Sequence, residues 1–351
     1  MVEDIRNYTL KELEERFKSL GLPPYRARQV YSWLYKNNVE DFSLMANLPK
    51  DVRERLGQVF AIEKLGLEEI ETSRDLTQKF LFRLKDDSLI EGVSIPFKSR
   101  VTVCLSAQVG CKFSCAFCAS GLLGFKRDLS TSEILSEFIA IRKNVSSQIT
   151  NVVFMGIGEP LDNYDNVMRA IRIMNSQEGI CLGARKMTIS TAGFAPGIER
   201  LSKEGLQVEL SVSLHAATDE KRSEILPINR RFPLKVLFEA IRKYYDATKR
   251  KVTFEYVLLG GYNTSVEDAQ SLIRLMRGLN AKVNIIPYNP VISRIGFQAP
   301  TKLEVLFFKS YLAKNGIEAT VRMPRGADIA AACGQLKYKM LKARKQDASE
   351  G

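Results

Sequence analysis

Val101-Thr102-Val103-Cys104-Leu105-Ser106-Ala107-Gln108-Val109-Gly110-Cys111-Lys112-Phe113-Ser114-Cys115-Ala116-Phe117-Cys118 is an apolar, β-branched run that feeds straight into a loop with three closely spaced cysteines. The run 101–105 reads as a strand. A regular alternation sets in from there. Further strand-like runs are Val152–Met155, Met187–Thr191, Val208–Leu214, Val252–Leu259, Val283–Pro287 and Ala319–Arg322. Helical patterns lie between them, for example Thr131–Ile141, where Ser130 and Glu133 form a capping box. Repeated β-α units imply a parallel sheet with right-handed crossovers. About six units fall short of the eight in a closed TIM barrel. The predicted fold class is therefore α/β, an open, partial (βα)6 TIM-like barrel.

The unusual residues sit just after these strands. The cysteine loop follows the first and Gly156-Ile157-Gly158-Glu159-Pro160 the second. Ser190-Thr191 closes the third, Ser213-Leu214-His215 the fourth, and Tyr288-Asn289-Pro290 follows the sixth. Barrels of parallel strands build their active sites at that end, and scattered structural motifs would not all fall on one rim.

Toward the N-terminus the pattern turns helical. Leu10, Leu13, Phe17 and Leu20 recur at helical spacing until Gly21-Leu22-Pro23-Pro24 stops the helix. A second helix runs from about Tyr25 through Val30, Trp33 and Leu34, and a short third follows Pro49. From Lys79 to Pro96, Phe80, Phe82 and Leu84 alternate with polar residues, Lys85-Asp86-Asp87-Ser88 turns the chain, and Leu89, Glu91, Val93 and Ile95 follow. That is a hairpin signal. The expected organisation is a helical accessory domain suited to RNA over 1–75, a β-hairpin linker over 76–98, the catalytic core over 99–336, and a basic tail over 337–351, read as a terminal helix.

The formal charge of +12 attracts polyphosphate backbones. No run of about 18 apolar residues is present, so no membrane span is expected. The polar start Met1-Val2-Glu3-Asp4 lacks the pattern of a signal peptide, and a cytoplasmic protein is expected. The six cysteines are Cys104, Cys111, Cys115, Cys118, Cys181 and Cys333. In a reducing compartment they are not expected to form structural disulfides.

The C-x3-C-x2-C loop supplies three thiolates, each able to bind one iron of a [4Fe–4S] cluster. One iron then has no protein ligand and can chelate the amino and carboxylate groups of S-adenosylmethionine (SAM). A structural zinc site would want four ligands, and the single histidine, His215, is far away in sequence. A ferredoxin-type cluster would want a fourth cysteine nearby.

At this point the chain resembles a known family. The cysteine loop is the signature of the radical SAM superfamily, and the rest resembles the RlmN/Cfr family of RNA methyltransferases. The matching stretches are 106–111, 155–161, Ser213-Leu214-His215-Ala216, Leu226-Pro227-Ile228-Asn229, 286–290 and 328–336. The resemblance implies that Cys111, Cys115 and Cys118 hold the cluster and that two SAM molecules are used per turnover. Cys333 would take a methyl group from the first. The radical from the second would activate that methyl to attack an adenine carbon. Cys104 would help release the product through a transient disulfide with Cys333, and Glu91 would accept the proton. A cationic neighbour such as Arg325, or a bound sulfonium, would activate the Cys333 thiol. Gly158 and Glu159 would hold the SAM amino group, with Ser190, Ser213, Leu214, His215 and Asn289 contacting the rest.

Each residue also has a plain reading. Cys104 alone would be core, Cys181 matches nothing, Glu91 on a hairpin would by default be a surface carboxylate, and Cys333 would be a small apolar residue.

The implied substrate is an adenosine of 23S rRNA at the peptidyl-transferase centre, and also of a tRNA, with an electron donor such as flavodoxin or ferredoxin. Pro160 and Ala216 resemble the type that methylates C-2 of adenine. The alternatives are C-8 methylation, which gives antibiotic resistance, another radical SAM enzyme that does not need Cys333, and an RNA-binding protein that consumes no SAM.

Overall fold

The computed structural model describes residues 2–289, 296–332, 334 and 335. The expected tail helix and Cys333 lie outside the described residues.

Seven parallel strands follow one another in chain order, Arg100–Cys104, Asn151–Phe154, Met187–Thr191, Glu209–Ser213, Val252–Leu258, Ala281–Pro287 and Glu318–Val321, each paired with the next. Among the described residues, every interval between them carries at least one helix. The sheet does not close on itself, so the open partial barrel expected from the sequence is what forms. Several of the strands place Val, Ile and Phe at alternating, buried positions, the period of a strand with one face on the core. Val103, Val152, Phe154, Ile189, Leu210, Phe254, Val283 and Ile285 all lie in one continuous core.

The hairpin forms, with strands Gln78–Arg83 and Leu89–Phe97 in antiparallel register. It is not a separate linker, however. A third strand, Gly66–Thr72, pairs with Gln78–Arg83, and Leu89–Phe97 pairs with Arg100–Cys104. The three antiparallel strands and the seven parallel ones make one ten-stranded sheet.

The N-terminal helices are Leu10–Ser19, Pro24–Tyr35 and Lys50–Val59. Thr9 and Glu12 close a capping box on the first, and Pro24 starts the second at the position that proline tolerates best. This block packs on the helix Thr131–Asn144, whose own capping box is Ser130 with Glu133. Arg6 donates to Ser136 Oγ at 2.9 Å, and Ser132 N–H donates to Asn7 Oδ1 at 2.8 Å. With the barrel behind it and the N-terminal block in front, that helix is buried almost all round. No helix among the described residues is long and apolar enough to cross a membrane.

Candidate active site

A cavity opens at the C-terminal ends of the parallel strands. Its walls include Cys104, Cys111, Cys115, Cys118, Gly158, Glu159, Ser190, Ser213, His215 and Asn289. Ten residues singled out from the sequence, spread over nearly 190 positions, thus share one space. Ala331, Ala332 and Gly334, on either side of Cys333, line the same cavity. Two expected site residues stand apart from these walls. The Leu214 side chain is fully buried in the core; its backbone N–H donates to Glu255 O and its carbonyl accepts from Arg222. Glu91 lies deeper on the antiparallel strand.

Glu91 is buried, contrary to the surface position that a hairpin carboxylate takes by default. It shares a strand face with Val93 and Ile95, because side chains two apart point the same way, and both of those line the cavity. Its Oε1 lies 4.0 Å from Lys79 Nζ. The same ammonium is 3.4 Å from Glu71 and donates to Ile329 O at 2.8 Å. Lys79 thus joins the proposed base to the segment that leads into Cys333. That segment is pinned further: Ser73 Oγ donates to Asp328 at 2.5 Å, Gly326 N–H donates to Asp75 at 3.2 Å, and Arg325 sits 3.7 Å from Asp75. Arg325, the cation expected near Cys333, lines the cavity.

The cysteine loop is held from several sides. Gly110, at φ +76°, lets the chain turn into it, where a Cβ would strike Gly124 O at 1.8 Å. Ala116 N–H donates to Ile225 O, and Ala119 N–H to Gly334 O at 2.7 Å. Burial pushes the Cys111 thiol up to about 12 and Cys115 well above its ordinary range. As free thiols they would stay protonated at neutral pH, so metal binding must release their protons. No three His, Cys, Asp or Glu side chains among the described residues are arranged around a single ion. Cys111, Cys115 and Cys118 do line one cavity, and three thiolates are the donor type an iron–sulfur cluster takes.

The turn after the second strand depends on Gly158. At φ +101° it suits glycine, and a Cβ would meet Gln108 Cβ at 2.5 Å. Gln108 is fully buried and accepts from Glu159 N–H at 2.9 Å while donating to Asp128 and Asp162. The Glu159 carboxylate accepts from the N–H groups of Leu161 at 3.1 Å and Ala192 at 2.7 Å, bridging the second and third strand ends. Burial raises its pKa to about 7.

His215 adopts φ +58° and turns its ring against Phe117 of the cysteine loop, with centroids 4.8 Å apart. Its Nδ1 accepts from Val257 N–H at 3.0 Å, so the proton of the neutral ring must sit on Nε2. Burial, helped by the nearby Arg222 charge, lowers its pKa to about 3. Arg222 is itself fully buried. It donates to Leu214 O at 3.1 Å, Asn229 Oδ1 at 2.7 Å, Ala192 O at 2.7 Å and Ser213 O at 3.2 Å. Burial lowers its pKa to about 10, which leaves it charged at neutral pH. It stitches the third strand end to the fourth.

Sequence reasoning passed over Arg222, Gln108 and Glu255. Glu255 is a buried carboxylate on the cavity wall, held by Ser211 at 2.8 Å, Asn284 at 3.0 Å and the Arg322 guanidinium at 3.5 Å. Gln108 lies inside the matching stretch 106–111, which gives it no role, Glu255 sits on a barrel strand, and Arg222 sits on the helix Asp219–Ile225, where nothing local marks it.

Comparison with known proteins gives a consistent picture. Residues 105–275 match the model of the radical SAM superfamily, and residues 3–62 match the ribosomal RNA large subunit methyltransferase N-terminal domain. A probable dual-specificity RNA methyltransferase RlmN from Thermoanaerobacter sp. is 43% identical over 97% of this chain and 99% of its own. The dual-specificity RNA methyltransferase RlmN of Pelobacter propionicus is 45% identical over 97% of each. The crystal structure of a radical SAM methyltransferase from Sphaerobacter thermophilus superposes with a TM-score of 0.90 at 43% identity, covering 95% of this chain and 99% of that one.

Proposed function

Because the chain belongs to the RlmN family of radical SAM RNA methyltransferases, we propose that it methylates C-2 of an adenosine in 23S rRNA at the peptidyl-transferase centre, and of a tRNA adenosine, through a methylated Cys333. One observation carries this reading: the three loop cysteines, the Gly158-Glu159 turn, Ser190, Ser213, His215, Asn289, Cys104 and the residues flanking Cys333 line one cavity.

Adenine C-2 is electron-poor and cannot attack a SAM methyl group directly, so a radical route is required. A [4Fe–4S] cluster held by Cys111, Cys115 and Cys118 supplies, when bound, the electron that splits SAM. Gly158 and Glu159 orient the SAM amino group. Ser190, Ser213, His215 and Asn289 line the space left for the rest of it, and the Leu214 backbone fixes that wall. His215 stays neutral and offers its Nε2–H as a donor. Cys333 accepts a methyl group from the first SAM by displacement and carries it to the base. Glu91 would take the proton from C-2, and the Cys104 thiolate would attack the Cys333 sulfur, breaking its bond to the transferred carbon as the disulfide forms; the released methylene would take a proton to become the product methyl, and the one electron left over would return to the iron–sulfur centre. The protein works in the cytoplasm with a flavodoxin or ferredoxin as electron source.

The test is anaerobic reconstitution with iron and sulfide, followed by SAM, a reductant and ribosomal RNA, with nucleosides read by mass spectrometry. The expected product is 2-methyladenosine, absent with Cys333→Ala. 8-Methyladenosine would overturn the choice of carbon. 5′-Deoxyadenosine with no methylated base would overturn the substrate, and no SAM cleavage at all would point to an RNA-binding role.

A further inference from the structure

The strand Leu89–Phe97 presents one face toward the cavity, buried at its start and exposed at its end. Glu91 and Val93 are buried, Ile95 is half-buried and lines the cavity, and Phe97 is 51% exposed. Alternation places all four on the same side, so Phe97 is the last rung, one step beyond the cavity wall at Ile95 and against Arg325 of that wall. A single exposed phenylalanine is ordinary; what sets this one apart is the company it keeps. The Arg325 guanidinium, itself a cavity wall, stands 4.8 Å from the ring centroid, and the Lys98 ammonium stands 5.7 Å away. Met323, also on the cavity wall, is 73% exposed. Arg100 is exposed and pairs with Phe97 across the turn.

Aromatic and guanidinium planes set among cations are the means by which proteins hold bases that have left a stack, with the cations meeting phosphates. The chemistry in the cavity acts on an edge of adenine, so the target base must be drawn out of its helix or loop, and its neighbours then lose a stacking partner. We propose that Phe97, with Arg325 and Lys98, is a stacking shelf for the nucleotide next to the target adenosine. The net charge of +12 and the local cluster of Lys98, Arg100 and Arg325 select RNA as the occupant. The proposal rests on the reading of the site as an RNA adenine methyltransferase and names a part of its substrate pocket.

The probe is a synthetic RNA hairpin with one adenosine in a single-stranded loop, and binding to the cluster-loaded full-length enzyme is read by fluorescence anisotropy. Phe97→Ala should weaken binding about five- to a hundred-fold, the usual range for one lost base stack. Phe97→Trp should restore it. RNA-independent 5′-deoxyadenosine formation should be unchanged in both, which shows that they fold and hold the cluster. Replacing one flanking nucleotide with an abasic residue should weaken the wild type by the same factor and leave the Phe97→Ala variant unaffected. The shelf is refuted if Phe97→Ala binds as tightly as the wild type, or if every abasic substitution costs the variant as much as it costs the wild type. Binding is read without turnover. An enzyme that shows this coupling yet forms no methyladenosine would therefore overturn the proposed reaction and leave the shelf standing.

Discussion

Replacing Arg222 with methionine should destabilise the protein by about 3–4 kcal/mol while leaving every proposed ligand and catalytic residue in place. The magnitude follows from the four bonds the guanidinium donates, to the carbonyls of Ala192, Ser213 and Leu214 and to Asn229 Oδ1. Each is a hydrogen bond from a charged donor, worth about 1.5 kcal/mol at the low end, or about 6 kcal/mol together. Removing a buried charge returns roughly 2–3 kcal/mol of desolvation. Methionine fills much of the same volume, so the change is not a large cavity. Arg222→Lys keeps the charge but replaces a planar fork with a point donor that reaches fewer acceptors, and about half the loss is expected. Equilibrium urea unfolding of the cluster-free protein measures both. A methionine variant within about 1 kcal/mol of the wild type would show that water satisfies these acceptors and that Arg222 does not hold the two strand ends together.

The remaining expectations concern the cavity itself. Gly158→Ala should leave the protein folded but weaken SAM binding at least about ten-fold, since the new Cβ displaces Gln108 and the Glu159 backbone bonded to it; isothermal calorimetry reads this, and unchanged affinity would refute the tight-turn argument. His215 is the one histidine in the chain, so its ring signals can be followed unambiguously by NMR in the cluster-free protein. With a folded pKa near 3 it should remain the neutral Nε2–H form from pH 8 to pH 5, and a midpoint near 6.5 would contradict its burial. Stability has a matching sign. Above about 6.5 the ring is neutral folded or unfolded, whereas between about 6.5 and 3 only the unfolded chain takes the proton, so this group's contribution is lost as the pH falls through that window. Glu91→Gln should preserve SAM cleavage and lower methyladenosine formation about 10²–10⁴-fold, the usual worth of a general base; undiminished product would remove Glu91 from the reaction.

The barrel was legible because short β-branched and apolar runs recur with helical patterns between them, an alternation that only repeated β-α units produce. All seven run within a residue or two of the sequence limits, and the capping box at Ser130 and Glu133 marks its helix start to the residue. The strand Gly66–Thr72 was not legible. A register shift between Leu67 and Glu69 breaks its alternation, and it lies at a sheet edge with mostly exposed side chains. Nothing in Gly66-Leu67-Glu68-Glu69-Ile70-Glu71-Thr72 separates that strand from a solvated loop. The cluster loop, the glycine turn and the strand-end serines could be found from spacing and resemblance. The buried polar residues could not, because Arg222, Gln108 and Glu255 are recognisable only through partners on other elements. Leu214 shows the converse: a motif neighbour contributes its backbone while its side chain belongs to the core.

The clamp between Ser73 and Asp328 joins residues 255 positions apart, and this dictates a timetable for the nascent chain. At the usual rate of roughly 5–20 residues per second, the turn at 73–77 leaves the ribosome about ten to fifty seconds before the segment it must grip. Until then the three antiparallel strands have their neighbours in the sheet, yet the cavity lacks the wall formed by 322–325, 331, 332 and 334. The cysteine loop is translated early, but its Ala116 and Ala119 N–H groups wait for the carbonyls of Ile225 and Gly334, so it too is completed only by later segments. An RNA-modifying centre assembled in this order cannot become competent on a partly made chain, and loss of the last thirty residues would leave a folded barrel without a working site.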